Sequence, residues 1–414
     1  MKRLNTFALM AMALPLASIS VGAQAADCPK GKIKIYTSWP MQGAMVPEGT
    51  GMKNGVNLAV EQAKGVAGGY CLEVVNLDDS SPQTGKWDGA VEAENANKAV
   101  ADADAMVYIG TYNSGAAKVS MAITQRAHMA QVTPANTYPG LTKKAGAAPG
   151  EPEIYRPLGI VSYFRVPPAD DIQGAVGAHW AKKLGYKKVY ILNDQELYGK
   201  GIADVFEAEA KKIGLQVLGN EGVDYKQPDQ KPILTKIRAS GADLVYMGAV
   251  VETGAQTIIR QMKDLGMVKA KGVSFMGPDG LYEDELLKAA TCDAVMGVDM
   301  HMTFASLPFE KLTGKGGEVY KAYKGAYKIE PTSYALYSWE AAEVVIEAIN
   351  KAGAKDREKI RTAIAATKDF NGLNGKWSFD KNGDTTMDVM SGFKVVKADG
   401  PVGCKFEYTE TLSK

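Results

Sequence analysis

The feature that most constrains the fold is a repeated alternation of short strand-forming runs with longer amphipathic stretches, which begins near residue 33. In these stretches the apolar residues recur at helical spacing, whereas the short runs are rich in β-branched and aliphatic residues. The first predicted strands span residues 33–39, 72–77, 105–110 and 131–135. Strands that alternate with helices in this way build a parallel sheet with helices on its faces. We therefore predict a doubly wound α/β unit.

The same alternation starts again after a segment rich in proline and glycine at 139–157. Further strands are predicted at 187–192, 215–218, 244–248 and 273–277, with helices near 172–184, 200–213, 230–239 and 253–265. The chain of 414 residues also exceeds the roughly 250–300 residues at which a single core stops growing. We predict two doubly wound parallel-sheet lobes.

The last third of the chain does not follow this alternation closely. Strands are predicted at 295–300, 372–379 and 393–396, and helices near 317–327, 334–352 and 356–366, which could cover either lobe. We predict that residues 26–165 with about 300–375 form the first lobe, and that 166–299 with about 376–414 form the second. A hinge would join them.

The amino terminus indicates export. Lys2 and Arg3 precede an apolar stretch at 7–21, and the sequence Ala-Gln-Ala at 23–25 is a signal-peptidase pattern. The apolar stretch is shorter than the roughly 20 residues that span a bilayer, and Asp27 before Cys28 does not fit a lipid-attachment site. We expect a signal peptide cleaved after Ala25 and a soluble periplasmic protein.

The charge is balanced, with 48 Lys and Arg residues against 47 Asp and Glu residues. No net field would therefore favour nucleic acid or an anionic membrane surface. We expect a monomer whose small-molecule ligand is selected by a local site.

Four cysteines lie in a chain that is expected to reach an oxidising compartment, and none has the close spacing of a zinc or redox motif. Cys28 precedes the first predicted strand and Cys71 the second, so in a parallel sheet both lie at the same end of neighbouring strands. We predict disulfides between Cys28 and Cys71 and, by elimination, between Cys292 and Cys404.

Two loops follow strands at one predicted sheet edge. Residues 110–115 contain Ser114 and open a helix, whose free N–H groups can hold a carboxylate. The alternative is that Ser114 only caps that helix. The loop at 133–139 adds Ala135, Asn136 and Thr137, which offer a hydroxyl and backbone groups. Because the two loops converge, we predict a carboxylate-binding site.

Several stretches in order along the chain resemble the branched-chain amino-acid (Leu/Ile/Val) binding family, the type I periplasmic solute-binding proteins of ABC importers. They are Gly68-Gly69, Asp78-Asp79, Ile109-Gly110 with Ser114, Thr133-Pro134-Ala135 through Pro139, Phe164-Arg165 with Gln173-Gly174, Asn193-Asp194 with Tyr198-Gly199 and Gly201, Phe275 to Gly280, and Trp377 to Asp380 with Gly383-Asp384. The resemblance covers the chain from about residue 31 to its end.

This resemblance implies a two-lobe hinged clamp without cofactors, in which Ser114, Ala135 and Thr137 hold the carboxylate of an amino-acid ligand. Asp279 would pair with the ligand ammonium group from the second lobe. The implied partners are the membrane permease subunits of an ABC transporter.

The sequence departs from the family at two places. Val250 stands where relatives that bind aliphatic amino acids carry an aromatic residue, and the insertion at 143–155 is atypical. We predict that Val250 contacts the ligand. The aromatic residues Trp39, Tyr112 and Tyr163, and less strongly Tyr282, could line the site, although core packing is the common fate of such residues.

Other functions fit less well. Gly49-Thr50-Gly51 with Gly55 loosely resembles a dinucleotide fingerprint, but it does not follow the first strand directly. The chain lacks the short motifs of zinc proteases, serine hydrolases and P-loop enzymes, so we expect no enzyme and no metal site. A binding protein for aromatic or other simple carboxylates, or a periplasmic sensory module, remains the alternative.

Overall fold

The computed structural model describes residues 28–413. The predicted signal peptide and its cleavage site lie outside these residues. The first sheet has the order β2-β3-β1-β4-β5-β6, and its strands are parallel except for the short β2. These strands are β1 (Lys32–Trp39), β2 (Val66–Ala67), β3 (Tyr70–Asp78), β4 (Ala105–Gly110), β5 (Ala130–Thr133) and β6 (Tyr163–Arg165). The four predicted strands of this lobe are confirmed.

The second sheet has the order β15-β14-β11-β10-β9-β7-β8, in which the last two strands of the chain join antiparallel. Between its parallel and antiparallel parts the chain forms a separate two-stranded hairpin, β12-β13. The strands are β7 (Lys188–Asn193), β8 (Gln216–Gly222), β9 (Leu244–Gly248), β10 (Ser274–Gly277), β11 (His301–Phe304), β12 (Phe370–Gly372), β13 (Gly375–Trp377), β14 (Met390–Lys397) and β15 (Cys404–Leu412). The two-lobe α/β architecture is therefore confirmed.

Helices cover both sheets. They are α1 (Val46–Gln62), α2 (Gly89–Ala101), α3 (Ser114–Arg126), α4 (Asp170–Lys183), α5 (Leu197–Lys212), α6 (Lys231–Ser240), α7 (Ala255–Asp264), α8 (Asp284–Ala290), α9 (Cys292–Gly297), α10 (Gly314–Tyr327), α11 (Ala335–Ala352) and α12 (Arg357–Ala365). Helix α11 packs along α1, and α12 packs against α11 and β5, so these late helices belong with the first sheet. Within residues 28–413, no helix is long and apolar enough to cross a membrane.

The glycines that loosely resembled a dinucleotide fingerprint have a packing role. Gly51 and Gly55 lie inside α1, on the side that meets the start of α11. A Cβ atom at Gly55 would lie 2.0 Å from the Ala335 carbonyl oxygen. Glycine is therefore required for the close approach of these two helices.

The predicted strand at 295–300 is wrong. Residues Cys292–Gly297 form α9, and the strand follows it at His301–Phe304. Ala294, Val295 and Val298 are buried at helical spacing, and the Thr291 hydroxyl accepts a hydrogen bond from the Ala294 N–H as the helix cap. The apolar run is therefore one face of a short helix.

Both predicted disulfides are present. Cys28 is bonded to Cys71, and Cys292 to Cys404 across 112 positions of the chain. In the parallel register Lys32 lies opposite Cys71, which places Cys28 at the same sheet end as its partner. The second bond ties α9 to the edge strand β15.

The insertion at 143–155 folds around one carboxylate. Glu151 accepts hydrogen bonds from the Tyr138 hydroxyl (2.7 Å), the Tyr155 hydroxyl (2.5 Å) and the Ala148 N–H (2.8 Å). At its start, Lys143 pairs with Asp171 of α4 at 2.8 Å. The insertion is thus an ordered extension of the first lobe that reaches the second.

Candidate functional site

A small cavity lies between the lobes, at the carboxyl ends of strands from both sheets. The first lobe contributes residues that follow β4 and β5, and the second contributes residues that follow β7, β9 and β10. The lining residues are Tyr112, Asn113, Ser114, Ala135, Tyr198, Val250, Gly280 and Tyr334. Open parallel sheets bind ligands at this edge, so this cavity is the candidate ligand site.

The predicted site residues lie in three different settings. Tyr112, Ser114, Ala135 and Val250 line the cavity itself. Asn136, Thr137, Tyr163 and Asp279 are buried behind or beside the lining residues, as their hydrogen bonds show below. Trp39 is fully buried in the hydrophobic core, and Tyr282 packs against Phe304, Phe393 and Phe406.

Ser114 does not act as a helix cap. Asn113 occupies the cap position of α3 in an extended conformation, and Ser114 is the first helical residue. The Ser114 hydroxyl accepts a hydrogen bond of 3.4 Å from the Tyr138 N–H, in the second loop. The Ser114 hydroxyl lies beside the first N–H groups of α3, and such groups have no carbonyl acceptor within the helix. This position suits an anionic ligand group.

Asn136 and Tyr163 hold the first loop in place. The Asn136 side chain donates to the Tyr112 carbonyl (2.7 Å) and accepts from the Thr111 N–H (3.3 Å). The Tyr163 hydroxyl donates to the same amide oxygen at 2.8 Å. Both polar groups are therefore engaged within the protein and position the loop that carries Tyr112.

The second loop leaves one hydroxyl group uncommitted. The Ala135 and Asn136 N–H groups both donate to the Thr133 hydroxyl, at 3.1 and 2.9 Å. The Thr137 hydroxyl, in contrast, is buried beside the Asp170 carboxyl group and has no partner of good hydrogen-bond geometry within residues 28–413. A buried polar group without a partner is costly unless something bonds to it, so Thr137 is the group in this loop that a ligand would complete.

Asp279 is the buried charge on the second lobe. It lies in a turn directly after β10 and is 1% exposed. Its carboxyl group accepts from the Tyr334 hydroxyl at 2.5 Å and from the Tyr198 hydroxyl. Burial raises the pKa of Asp279, because no cation offsets the loss of hydration.

Asp170 is a second buried carboxyl group that the sequence did not single out. It is the first residue of α4, is fully buried, and donates its N–H to the Thr137 carbonyl at 2.9 Å. Neither carboxyl oxygen has a partner of good hydrogen-bond geometry among the described residues. Burial and the nearby charge of Asp279 raise the pKa of Asp170 well above its usual range.

Tyr198 and Tyr334 complete the site and were also missed. Tyr198 follows β7, and its hydroxyl both donates to Asp279 and accepts from the Gly280 N–H at 3.0 Å. Tyr334 precedes α11, and its ring meets Tyr112 edge to face at 5.6 Å. The loop rule applied to β7 would have found Tyr198, whereas no local pattern marks Tyr334.

A further hydrogen bond joins the two lobes beside the cavity. The Asn113 side-chain amide donates to Glu252, which follows β9, at 2.9 Å. Burial raises the pKa of Glu252 to about 7. The lobes are thus in polar contact at the mouth of the site.

Comparisons with known proteins show what this chain is similar to. A family model described as periplasmic binding protein matches residues 32–401. The chain is similar to an amino acid binding protein of Pseudomonas aeruginosa, with 30% identity over 356 residues that cover 85% of this chain and 87% of the relative.

Two solved structures share the fold. A leucine binding protein of Thermotoga maritima has a TM-score of 0.77 at 24% identity, covering 92% of this chain and 99% of that one. A solute binding protein of an ABC transporter from Rhodopseudomonas palustris, in complex with p-hydroxybenzoic acid, has a TM-score of 0.78 at 18% identity, covering 92% and 97%.

Proposed function

Because the chain belongs to the periplasmic binding protein family, we propose that it is the substrate-binding component of an ABC importer and binds an amino acid between its lobes. The observation that carries this proposal is the pair of buried carboxyl groups, Asp170 and Asp279, beside the uncommitted Thr137 hydroxyl. Neither carboxyl group has an ion-pair partner among the described residues, although the more distant charge of Arg165 acts on Asp170. A ligand ammonium group would supply that partner.

The opposite end of the ligand would meet the first lobe. Its carboxylate would accept hydrogen bonds from the Ser114 and Thr137 hydroxyls and from the N–H groups at the start of α3. A zwitterion then fits a site with partial positive charge on one lobe and carboxylates on the other. The same charges disfavour a ligand without an amine.

The proposed mechanism is closure of a clamp. The proposed first lobe is 26–165 with about 300–375, and the second is 166–299 with about 376–414. Ligand held by the first lobe would draw Asp279 across the cleft. Closure would exclude water and strengthen the contacts of the ligand carboxylate with the first lobe and of its ammonium group with Asp279. The membrane permease subunits would recognise the closed shape, after export of the chain to the periplasm. In this role the protein binds its ligand and does not convert it.

A second candidate function is uptake of an aromatic carboxylate. The cavity is lined by three tyrosine rings, and the fold is shared with the Rhodopseudomonas protein that was solved with p-hydroxybenzoic acid. Against it, a simple acid brings no cation to Asp170 and Asp279. A sensory role would use the same closure with a different partner.

A thermal-shift screen of the purified mature protein tests the function. Amino acids, aromatic acids, amides and polyamines would each be added at saturating concentration. A true ligand at 100 times its Kd stabilises the folded state by about 2.7 kcal/mol, which is a readily measured shift. We expect the largest shifts with α-amino acids. A shift with hydroxybenzoate and none with any amino acid would contradict the proposal.

The proposed hydrogen bonds to the ligand carboxylate can be tested with Ser114→Ala and Thr137→Val. Each change removes one hydrogen bond to a charged ligand group, so affinity is expected to fall by about tenfold or more in calorimetric titration. Thr137→Val keeps the side-chain shape and removes a hydroxyl that has no partner of good hydrogen-bond geometry within residues 28–413, so the stability of the ligand-free protein is expected to change little.

Ser391→Ala is the matched control for this pair. Its hydroxyl is also buried and without a hydrogen-bond partner, but it lies in β14, away from the cavity lining. We expect no change in affinity for this variant. Unchanged affinity in both Ser114→Ala and Thr137→Val would assign the two loops to structure alone.

A further inference from the structure

Two buried glutamates meet across the cleft. Glu48 lies in the first turn of α1 and is 2% exposed, and Glu283 follows the turn that carries Asp279 and is 8% exposed. Their carboxyl groups lie within hydrogen-bonding reach of one another. Two carboxylates in contact cannot both remain ionised, so one of them must be protonated when nothing else neutralises the pair.

Among the described residues no cation contacts this pair, although Lys288 and Lys405 line an open pocket together with Glu283. No lysine, arginine or histidine nitrogen in residues 28–413 lies within 4.0 Å of either carboxyl group. The other groups that act on the pair are the Tyr334 N–H, which donates to Glu48 at 2.8 Å, the polar side chains of Thr332 and Ser333, and the Asp284 carboxylate. Burial and the Glu48 charge raise the pKa of Glu283 well above its usual range.

The pair lies next to the ligand cavity, and two cavity-lining tyrosines connect them. Tyr334 lines the cavity and bonds to Glu48 through its backbone. Tyr112 also lines the cavity, and its hydroxyl is buried without a hydrogen-bond partner among the described residues. Burial, and then the nearby charges of Glu283 and Glu48, raise the pKa of Tyr112 well above its usual range.

We propose that the bound amino acid carries an amine or guanidinium group on its side chain, and that Glu48 and Glu283 hold this cation between the lobes beside the Tyr112 hydroxyl. The inference rests on the proposed amino-acid function and names the class of side chain. One cation shared by two carboxylates would replace the proton that they otherwise share. It would also tie the lobes together, because each glutamate belongs to a different lobe.

An aliphatic side chain would not use this end of the site. It would leave the Tyr112 hydroxyl unpaired and the glutamates dependent on a proton, while an acidic side chain would add a third negative charge. A cationic side chain satisfies all three groups at once. Val250 lines the cavity on the second lobe, and its side chain is smaller than the aromatic ring that the resemblance implies there.

Isothermal titration of the mature protein with lysine, ornithine, arginine and leucine tests this inference. We expect the best basic amino acid to bind about tenfold or more tightly than leucine, since it gains hydrogen bonds to charged groups. Its binding at pH 7 should release protons, measured as a difference between the heats in phosphate and Tris buffers. Leucine should release none.

Glu283→Gln tests the contribution of the glutamate pair independently of the rest of the site. We expect it to lower affinity for the basic amino acid by about tenfold, to abolish proton release, and to change leucine binding by less than about threefold. The matched control is Glu340→Gln. Glu340 is also buried, in α11, where it accepts from the Leu373 N–H at 2.6 Å, and Leu373 is not a cavity-lining residue.

The results separate this inference from the proposed function. If leucine binds at least as tightly as every basic amino acid, or if Glu283→Gln leaves lysine binding and proton release unchanged, the cationic side chain is ruled out while the amino-acid function stands. If no amino acid binds at all, the proposed function itself is wrong.

Discussion

Replacing Arg165 with methionine is expected to lower the free energy of unfolding by about 3 kcal/mol. The guanidinium group is fully buried, and its Nε donates to the Asp384 carboxylate at 2.8 Å. Removing one member of a buried ion pair leaves its partner charged and poorly solvated, which typically costs 3–5 kcal/mol. Lys143 lies 3.3 Å from the other oxygen of Asp384 and would offset part of the loss. Urea denaturation of the ligand-free protein measures the change.

The same substitution should also weaken ligand binding, because Arg165 organises the second loop of the site. One guanidinium nitrogen donates to the Asn136 carbonyl (3.3 Å) and the Tyr138 carbonyl (3.0 Å), on either side of Thr137. Without these bonds the Thr137 hydroxyl loses its fixed position. Binding should therefore fall even under conditions where the variant remains folded.

Arg357→Met is the matched control for this substitution. Arg357 donates to four backbone carbonyl oxygens but makes no ion pair with a carboxylate among the described residues, and it is partly exposed. Its loss should therefore cost less than that of Arg165. A double variant, Arg165→Met with Asp384→Leu, should recover part of the stability, because no unpaired charge remains. Equal losses in the Arg165 and Arg357 variants would contradict the buried ion-pair explanation.

The two-lobe α/β fold could be predicted because its evidence is local. Strand-forming runs of four to seven residues alternate with helical periodicity, and β4 and β9 have the predicted bounds 105–110 and 244–248. The prediction failed where two local patterns overlap, since the apolar residues of α9 fit a short buried strand as well as a helix face. There the Thr291 cap and the bond from Cys292 to Cys404 decided the outcome.

The edge strand β15 was missed for a different reason. Its residues alternate in exposure along Cys404–Leu412, as expected of a strand with one solvated face. The inward residues Phe406 and Tyr408 are separated by charged residues, so the segment has low hydrophobicity and a weak signal. Its place in the sheet depends on pairing with β14, which is a tertiary property.

The candidate site could be predicted only where a loop follows a strand. That rule led to Ser114 and, together with the family resemblance, to Asp279, and the structure brings both to one cavity region from different lobes. It could not lead to Tyr334, because this residue enters from the connection before α11. Nor could sequence position show that the Asn136 amide is engaged inside the protein while the Thr137 hydroxyl is not.

Asp279→Asn is expected to lower affinity for an amino-acid ligand by about 30-fold or more. A ligand ammonium group buried against this carboxylate forms a desolvated charge pair, and loss of one partner from such a pair costs about 2–5 kcal/mol of binding free energy. Asparagine retains the size of the side chain and suits the turn after β10. Its carbonyl oxygen can still accept from the Tyr334 hydroxyl, so the cavity wall is preserved.

The ligand-free Asp279→Asn variant should be as stable as the unmodified protein, or more stable. Burial raises the pKa of Asp279, which means that the folded protein without a bound cation disfavours the ionised carboxylate. At neutral pH, replacing that carboxylate by a neutral amide removes this penalty. Thermal melting of the ligand-free variant should therefore occur at the same temperature as the unmodified protein, or at a higher one.

Asp194→Asn tests whether the loss of any buried carboxylate on this lobe has the same effect. Asp194 is as buried as Asp279 and accepts from the Thr253 hydroxyl at 2.7 Å and from the Glu196 N–H at 3.0 Å. Neither of these partners lines the cavity, whereas Asp279 is bonded to the cavity-lining Tyr198 and Tyr334. We expect it to bind the ligand with nearly unchanged affinity. If Asp279→Asn also binds normally, or if the tightest ligand lacks an amine, the carboxylate is a structural acceptor for Tyr198 and Tyr334. The aromatic-acid function would then be the better account of the site, since a protonated Asp279 would tolerate a ligand whose only charge is negative.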